Sequence, residues 1–166
     1  YIWIPGRAKD LIIRGGHNID PAEIEEALAG HAAVAFAGAI GQPDAHAGEI
    51  PCAYVELVDG VTVTEAELLD FAKAKINERA AHPRHLEIMG ELPKTAVGKI
   101  FKPELRRRAI TRVFDAALKD AGVPANVTVV TEDKKLGLVA HIGGTASRDQ
   151  ISAVLSNFTT AWDMAD

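Results

Sequence analysis

The chain has 166 residues, 48% hydrophobic and 25% charged, enough for one sizeable buried core and a small appended unit. A net charge of −5 argues against general affinity for nucleic acid, and the lone cysteine, Cys52, excludes an intramolecular disulfide framework and fits a reducing cytosol. No apolar run approaches the roughly 20 residues that span a bilayer, and no basic-then-apolar leader stands at the start.

Tyr1-Ile2-Trp3-Ile4-Pro5 opens the chain without a methionine, in the manner of a strand entered midway, and is read as the cut end of a longer protein. Leu11-Ile12-Ile13 before Gly15-Gly16 predicts a short strand and a sharp turn. Asp20-Pro21 then starts a helix: Asp20 caps, Pro21 fits the first turn, and Glu23, Glu25 and Glu26 suit the positive end of its dipole. Ile24, Ala27 and Leu28 form the apolar stripe of that helix, which Gly30 ends. Ala33 to Ile40 and Ile50 to Val58 are predicted strands, separated by a polar loop from Gly41 to Glu49.

Thr64-Glu65-Ala66-Glu67 has the spacing of a capping box, and the helix it opens places Leu68, Leu69, Ala72 and Ile76 on one side. His82-Pro83 closes that helix, Arg84 to Met89 makes a third strand, and Glu104 to Ala121 reads as a helix ended by Gly122. Arg106-Arg107-Arg108 is the one compact basic run, and the expectation for it is a solvated helix face. Val127 to Val130 and Leu136 to Ile142 are expected as strands around the turn Thr131 to Lys135. After Gly143-Gly144, Thr145 or Ser147 caps a last helix carrying Ile151, Val154, Leu155 and Phe158. The sum is an α+β fold, a small mixed sheet of about three strands plus a short N-terminal hairpin packed with helices, with an added C-terminal ββα extension.

The segment with the clearest chemistry is Pro93-Lys94-Thr95-Ala96-Val97-Gly98-Lys99-Ile100-Phe101-Lys102. Gly98 admits backbone angles that other residues resist, and so presents Lys99 at the tip of a tight loop. A lysine there is a mobile point charge with three donors, suited to a phosphate or another oxyanion, although a bare Gly-Lys is more often a solvated surface turn. The six histidines are scattered without metal-ligand spacing, and no serine or cysteine nucleophile is supported.

A second segment, Gly6-Arg7-Ala8-Lys9-Asp10 through Gly15-Gly16 to Pro21-Ala22-Glu23-Ile24-Glu25, stands ahead of Leu92 to Ile100. In that order and at that separation the two motifs resemble the mobile C-terminal domain of AMP-forming acyl-CoA synthetases, within the adenylate-forming superfamily. The resemblance covers roughly residues 1–110, beginning at a hinge; 111–166 is a helix continuation plus the ββα extension, read as structural covering or a subunit contact, which leaves a homodimer open.

The resemblance implies a role for each matched residue. Lys99 bridges the α-phosphate of ATP and the attacking carboxylate when an acyl-adenylate forms. Arg7 contacts the ATP ribose, with a structural ion pair to an acid such as Asp10 as its alternative. Lys9 occupies the hinge about which the domain rotates. The Gly15-Gly16 loop then replaces Lys99 and lines the passage for the pantetheine arm of coenzyme A, with Arg14, His17 and Arg84 as further candidates for its phosphates. The substrates implied are ATP, coenzyme A and a carboxylic acid, a fatty acid being favoured over aromatic or short acids. A non-catalytic module that kept the fold is the reading from another class. Magnesium and the acyl pocket are expected in a large N-terminal adenylation domain, the partner of this one, which is absent here; the fragment alone is expected to be inactive and its location cytoplasmic.

Overall fold

The computed structural model describes residues 10–166, and its first sheet is built around one long strand, β4 (Gly48–Leu57). Residues 51 to 55 of β4 are all buried, as expected for a strand covered on both faces. Their side chains alternate: Cys52 and Tyr54 enter one core, Ala53 and Val55 the other. Along one edge of β4 runs β3 (Val34–Asp44), antiparallel from Val34↔Leu57 to Asp44↔Gly48.

The other edge of β4 is shared between two strands. β1 (Ile12–Arg14) meets it at Arg14↔Gly48 and pairs in turn with β2 (His17–Ile19), while β5 (His85–Met89) lies parallel to it from Cys52↔His85 to Glu56↔Met89. The expected mixed sheet of three strands and a hairpin is therefore present. The polar loop expected from Gly41 to Glu49 is not, because both strands continue into it. Only a turn at 45–47 remains, where the Asp44 carboxylate accepts from the amides of His46 (3.1 Å) and Ala47 (2.7 Å).

One face of the sheet is covered by α1 (Pro21–Ala29) and α2 (Glu65–Lys75), with a short 3-10 turn at Arg79–Ala81. Asp20 caps α1 through Ala22 N (2.9 Å), and Ile24 and Leu28 bury themselves against Ile12, Val55, Leu68 and Leu86. At α2 the Thr64 hydroxyl accepts from Glu67 N (3.1 Å), which is one half of the expected capping box.

The opposite face carries α3 (Lys102–Asp120), which crosses residue 110 and serves two cores. Leu105 and Ala109 pack with Ile40, Cys52, Tyr54 and Leu92, whereas Ile110, Phe114 and Leu118 pack on a second sheet. That sheet joins β6 (Ala125–Asp133) antiparallel to β7 (Gly137–Gly144), and β7 parallel to β8 (Ala161–Met164), a strand beyond the expected ββα unit. Between them lies α4 (Arg148–Leu155), opened by a complete capping box of Ser147 and Gln150. Phe158 falls just past α4 and stacks on Phe114 at 5.1 Å between ring centres.

Candidate functional site

The Lys99 loop is a closed hairpin. Lys94 bridges Ile100, Thr95 N donates to Lys99 O (2.7 Å), and Phe101 N donates to Pro93 O (2.8 Å). Inside it, Gly98 has φ +85 and donates to Thr95 O (2.9 Å), and Lys99 N donates to the Thr95 hydroxyl (3.2 Å). The backbone of the tip is thus satisfied locally, while the side chains of Val97 and Lys99 stand exposed, Val97 at 81%. Lys99 takes part in no ion pair among the described residues.

The base of the loop is fixed by Glu56 of β4. Its carboxylate accepts from Leu92 N (2.9 Å) and from Lys94 Nζ (2.8 Å), and Lys94 also lies 4.3 Å above the Phe36 ring. The Lys94 hydrogen bond, followed by the Leu92 amide, holds the Glu56 carboxyl below its ordinary value. Ile100 and Leu105 close on Gly38, where a β-carbon would stand 3.0 Å and 2.9 Å from them. Sequence reasoning treated Lys94 as one letter of the motif. Its anchoring role depends on a glutamate 38 positions away, which no local pattern signals.

The Gly15-Gly16 turn joins β1 to β2 at Arg14↔His17. Gly15 has φ +56 and donates to Ala47 O (2.8 Å), so its backbone requires glycine. Gly16 differs: its φ lies outside the left-handed region, and a β-carbon there would meet nothing within 4 Å. Nothing within the described residues requires glycine at position 16.

Of the neighbours, Arg14 donates to Ala80 O (2.8 Å) and His17 Nδ1 lies 3.7 Å from Glu78. Arg84 is exposed at the start of β5, its amide bonded to Pro51 O (2.9 Å). Arg7 and Lys9 lie outside the described residues. Asp10 is paired with Arg106 of α3 at 2.8 Å.

These two loops occupy opposite ends of β4. The glycine turn sits beside Ala47 and Gly48, and the Lys99 hairpin hangs from Glu56. Eight residues of extended strand separate those attachment points, about 26 Å at ~3.3 Å per residue.

Elsewhere the chemistry is quiet. Burial pushes the Cys52 thiol up to about 11, so it is no nucleophile at neutral pH. Among the described residues no three His, Cys, Asp or Glu side chains are grouped to hold a metal ion, and no helix is long and apolar enough to cross a membrane. The basic run expected to be a solvated helix face is largely engaged: besides the Arg106–Asp10 pair, Arg107 meets Glu104 (3.4 Å), and Arg108 Nε donates to Glu87 (2.8 Å).

Residues 23–99 match the family model for the AMP-binding enzyme C-terminal domain. The chain is 42% identical over 164 residues to a marinolic acid–CoA ligase of Pseudoalteromonas sp. (strain SANK 73390), covering 98% of this chain and 25% of that protein. It is 39% identical over 138 residues to an acetyl-coenzyme A synthetase of Pyrobaculum arsenaticum, covering 81% of this chain and 20% of that protein. A solved acyl-CoA synthetase of Brucella canis superposes with a TM-score of 0.55 at 39% identity, over 61% of this chain and 19% of that one. The chain thus spans a quarter or less of these relatives. Its extension lies within the marinolic acid–CoA ligase alignment and outside residues 23–99 of the family model.

Proposed function

This chain carries the AMP-binding enzyme C-terminal domain, whose relatives are acyl-CoA ligases and synthetases, and from that premise we propose that it is the moving lid of an ATP-dependent acid–CoA ligase. In the first half-reaction a carboxylate attacks the α-phosphate of ATP and pyrophosphate leaves. Two anions approach, and the Lys99 ammonium between them aligns them and stabilises the charge that builds in the transition state. In the second, the thiol of coenzyme A attacks the acyl carbonyl and AMP leaves. Lys99 is then withdrawn and the Gly16 backbone borders the path of the pantetheine arm, where a side chain would block it. Lys9 is the hinge, Arg7 holds the ATP ribose, and Arg84 and His17 face the coenzyme A phosphates. Arg14, tied to Ala80 O, has the remaining guanidinium donors for that purpose.

The observation that carries this reading is the placement of the two loops at opposite ends of β4. The open space beside Gly16 is compatible with it, because the turn leaves room for a second body to pass close. Among the described residues no carboxylates are grouped to hold a metal ion, so we assign the magnesium that accompanies ATP to an N-terminal domain, which also forms the acid pocket. We propose a fatty acid as the substrate, on the resemblance of the two loops to fatty-acyl-CoA synthetases and on likeness to a Mycobacterium tuberculosis fatty acyl CoA synthetase, 35% identical with a TM-score of 0.55. The test is the full-length protein with ATP, coenzyme A and a panel of short, aromatic and long-chain acids. AMP, pyrophosphate and thioester in equal amounts with long-chain acids support the reading; thioester only with short or aromatic acids overturns the fatty-acid assignment, and none with any acid overturns the ligase.

A further inference from the structure

Glu49, near the start of β4, takes no part in the reaction as described, yet its carboxylate has a built seat. Its Oε1 accepts from Ile13 N of β1 (2.9 Å). The carboxyl group lies over Gly41 of β3, where a β-carbon would stand 2.7 Å from Cδ, 2.8 Å from Oε1 and 3.0 Å from Oε2. The φ of Gly41 lies outside the left-handed region, so the glycine there serves the space for that carboxylate and not the backbone.

β1 needs such a hold. It has three residues and meets β4 at one registered pair, Arg14↔Gly48. The residues leading into the glycine turn are tied one by one to different acceptors: Ile13 N to Glu49, Arg14 Nη1 to Ala80 O (2.8 Å), and Gly15 N to Ala47 O (2.8 Å). Two of these acceptors are backbone carbonyls. Only Glu49 is a side chain, and an ionised carboxylate accepts an amide more strongly than a carbonyl does. Glu56 does the same for the Lys99 hairpin from the other end of β4, through Leu92 N. An odd number of positions separates the two glutamates, which sets them on opposite faces of the strand.

We propose that Glu49 is a positioning residue for the second half-reaction: seated over Gly41, it fixes β1 and thereby the Gly15-Gly16 turn that borders the pantetheine arm. This rests on the role given above to that turn. Each loop then has its own glutamate on β4. Glu49 is only half-buried, so water replaces its carboxylate in a truncated variant; the fold survives, and the turn loses a fixed point.

The experiment measures two rates in the full-length protein: thioester formation from supplied acyl-adenylate at saturating coenzyme A, and acid-dependent pyrophosphate exchange. The variants are Glu49→Ala, Glu49→Gln and Gly41→Ala, with Gly16→Leu as the control for the turn itself. Gly41→Ala keeps Glu49 but displaces its carboxylate, the flexible end of the side chain, and so decides the matter if Glu49→Ala fails to fold. Glu49→Ala and Gly41→Ala are expected to slow thioester formation by about 10- to 100-fold and to leave exchange within about twofold of the parent. Glu49→Gln, which keeps an acceptor for Ile13 N, should stay within about threefold of the parent in both. Thioester formation unchanged in Glu49→Ala or Gly41→Ala while Gly16→Leu blocks it overturns the assignment of Glu49 and leaves the turn's role standing. Unchanged thioester formation in Gly16→Leu as well overturns both. Equal loss of the two rates, or no recovery in Glu49→Gln, makes Glu49 a general support of the fold and also overturns the proposal.

Discussion

Replacing Glu56 with alanine removes the acceptor that holds both the backbone and the first lysine of the Lys99 hairpin. Leu92 is 1% exposed, and stranding its amide costs about 1–3 kcal/mol. The Lys94–Glu56 pair, with side chains 21% and 17% exposed, adds about 1 kcal/mol after discounting for solvent, since Lys94 keeps its contact with Phe36. The sum, roughly 2–4 kcal/mol, lowers Tm by about 4–16 °C in a chain of this size. A hairpin displaced by ~1 Å costs the adenylation step up to ~100-fold.

Glu56→Gln keeps an acceptor and loses only charge, so about half of each effect is expected. Because folding lowers the Glu56 pKa, its contribution is complete above the ordinary value of 4.5 and is lost as pH falls through the lower folded value. The Tm gap between parent and Glu56→Gln should therefore close in acid. The assays are thermal melting and pyrophosphate exchange. Unimpaired exchange in a destabilised Glu56→Ala protein would refute the claim that this anchor positions Lys99.

Three other outcomes follow from the same packing. Phe114→Ala, at the centre of the second core and stacked on Phe158, should cost about 3–5 kcal/mol by urea denaturation, and a loss below ~1 kcal/mol would mean that the extension is not packed on α3 as described. Cys52 should resist alkylation at pH 8 until the protein unfolds, since its thiol is both buried and shifted up to about 11; rapid labelling of the native protein would contradict that burial. Lys9→Pro should slow overall turnover more than either half-reaction measured alone, and unimpaired turnover would place the hinge elsewhere.

Much of the architecture was legible because local chemistry dictates it. Asp20-Pro21 fixes the start of α1, Gly98 the Lys99 turn, and the apolar run within 50–58 a buried strand at β4. What was missed depends on partners distant in sequence. β3 and β4 extend through a stretch that looks like loop, because pairing with each other outweighs the turn residues Gly41 and Pro43. β8 has four residues and gains its identity from parallel pairing to β7. Glu25, expected to serve the helix dipole, instead accepts from Ala39 N (2.9 Å) and meets Lys102 (3.0 Å), tying α1 to β3 and α3. At the candidate site the motifs located the loops; their attachment to opposite ends of β4 and the Glu56 anchor emerged only from the fold.

The claim that one domain serves two half-reactions with opposite ends is tested most directly by measuring both halves in Lys99→Ala and Gly16→Leu forms of the full-length protein. The account predicts that Lys99→Ala abolishes acid-dependent pyrophosphate exchange yet largely spares thioester formation from supplied acyl-adenylate, and that Gly16→Leu does the reverse. Equal loss of both halves in either variant would contradict it.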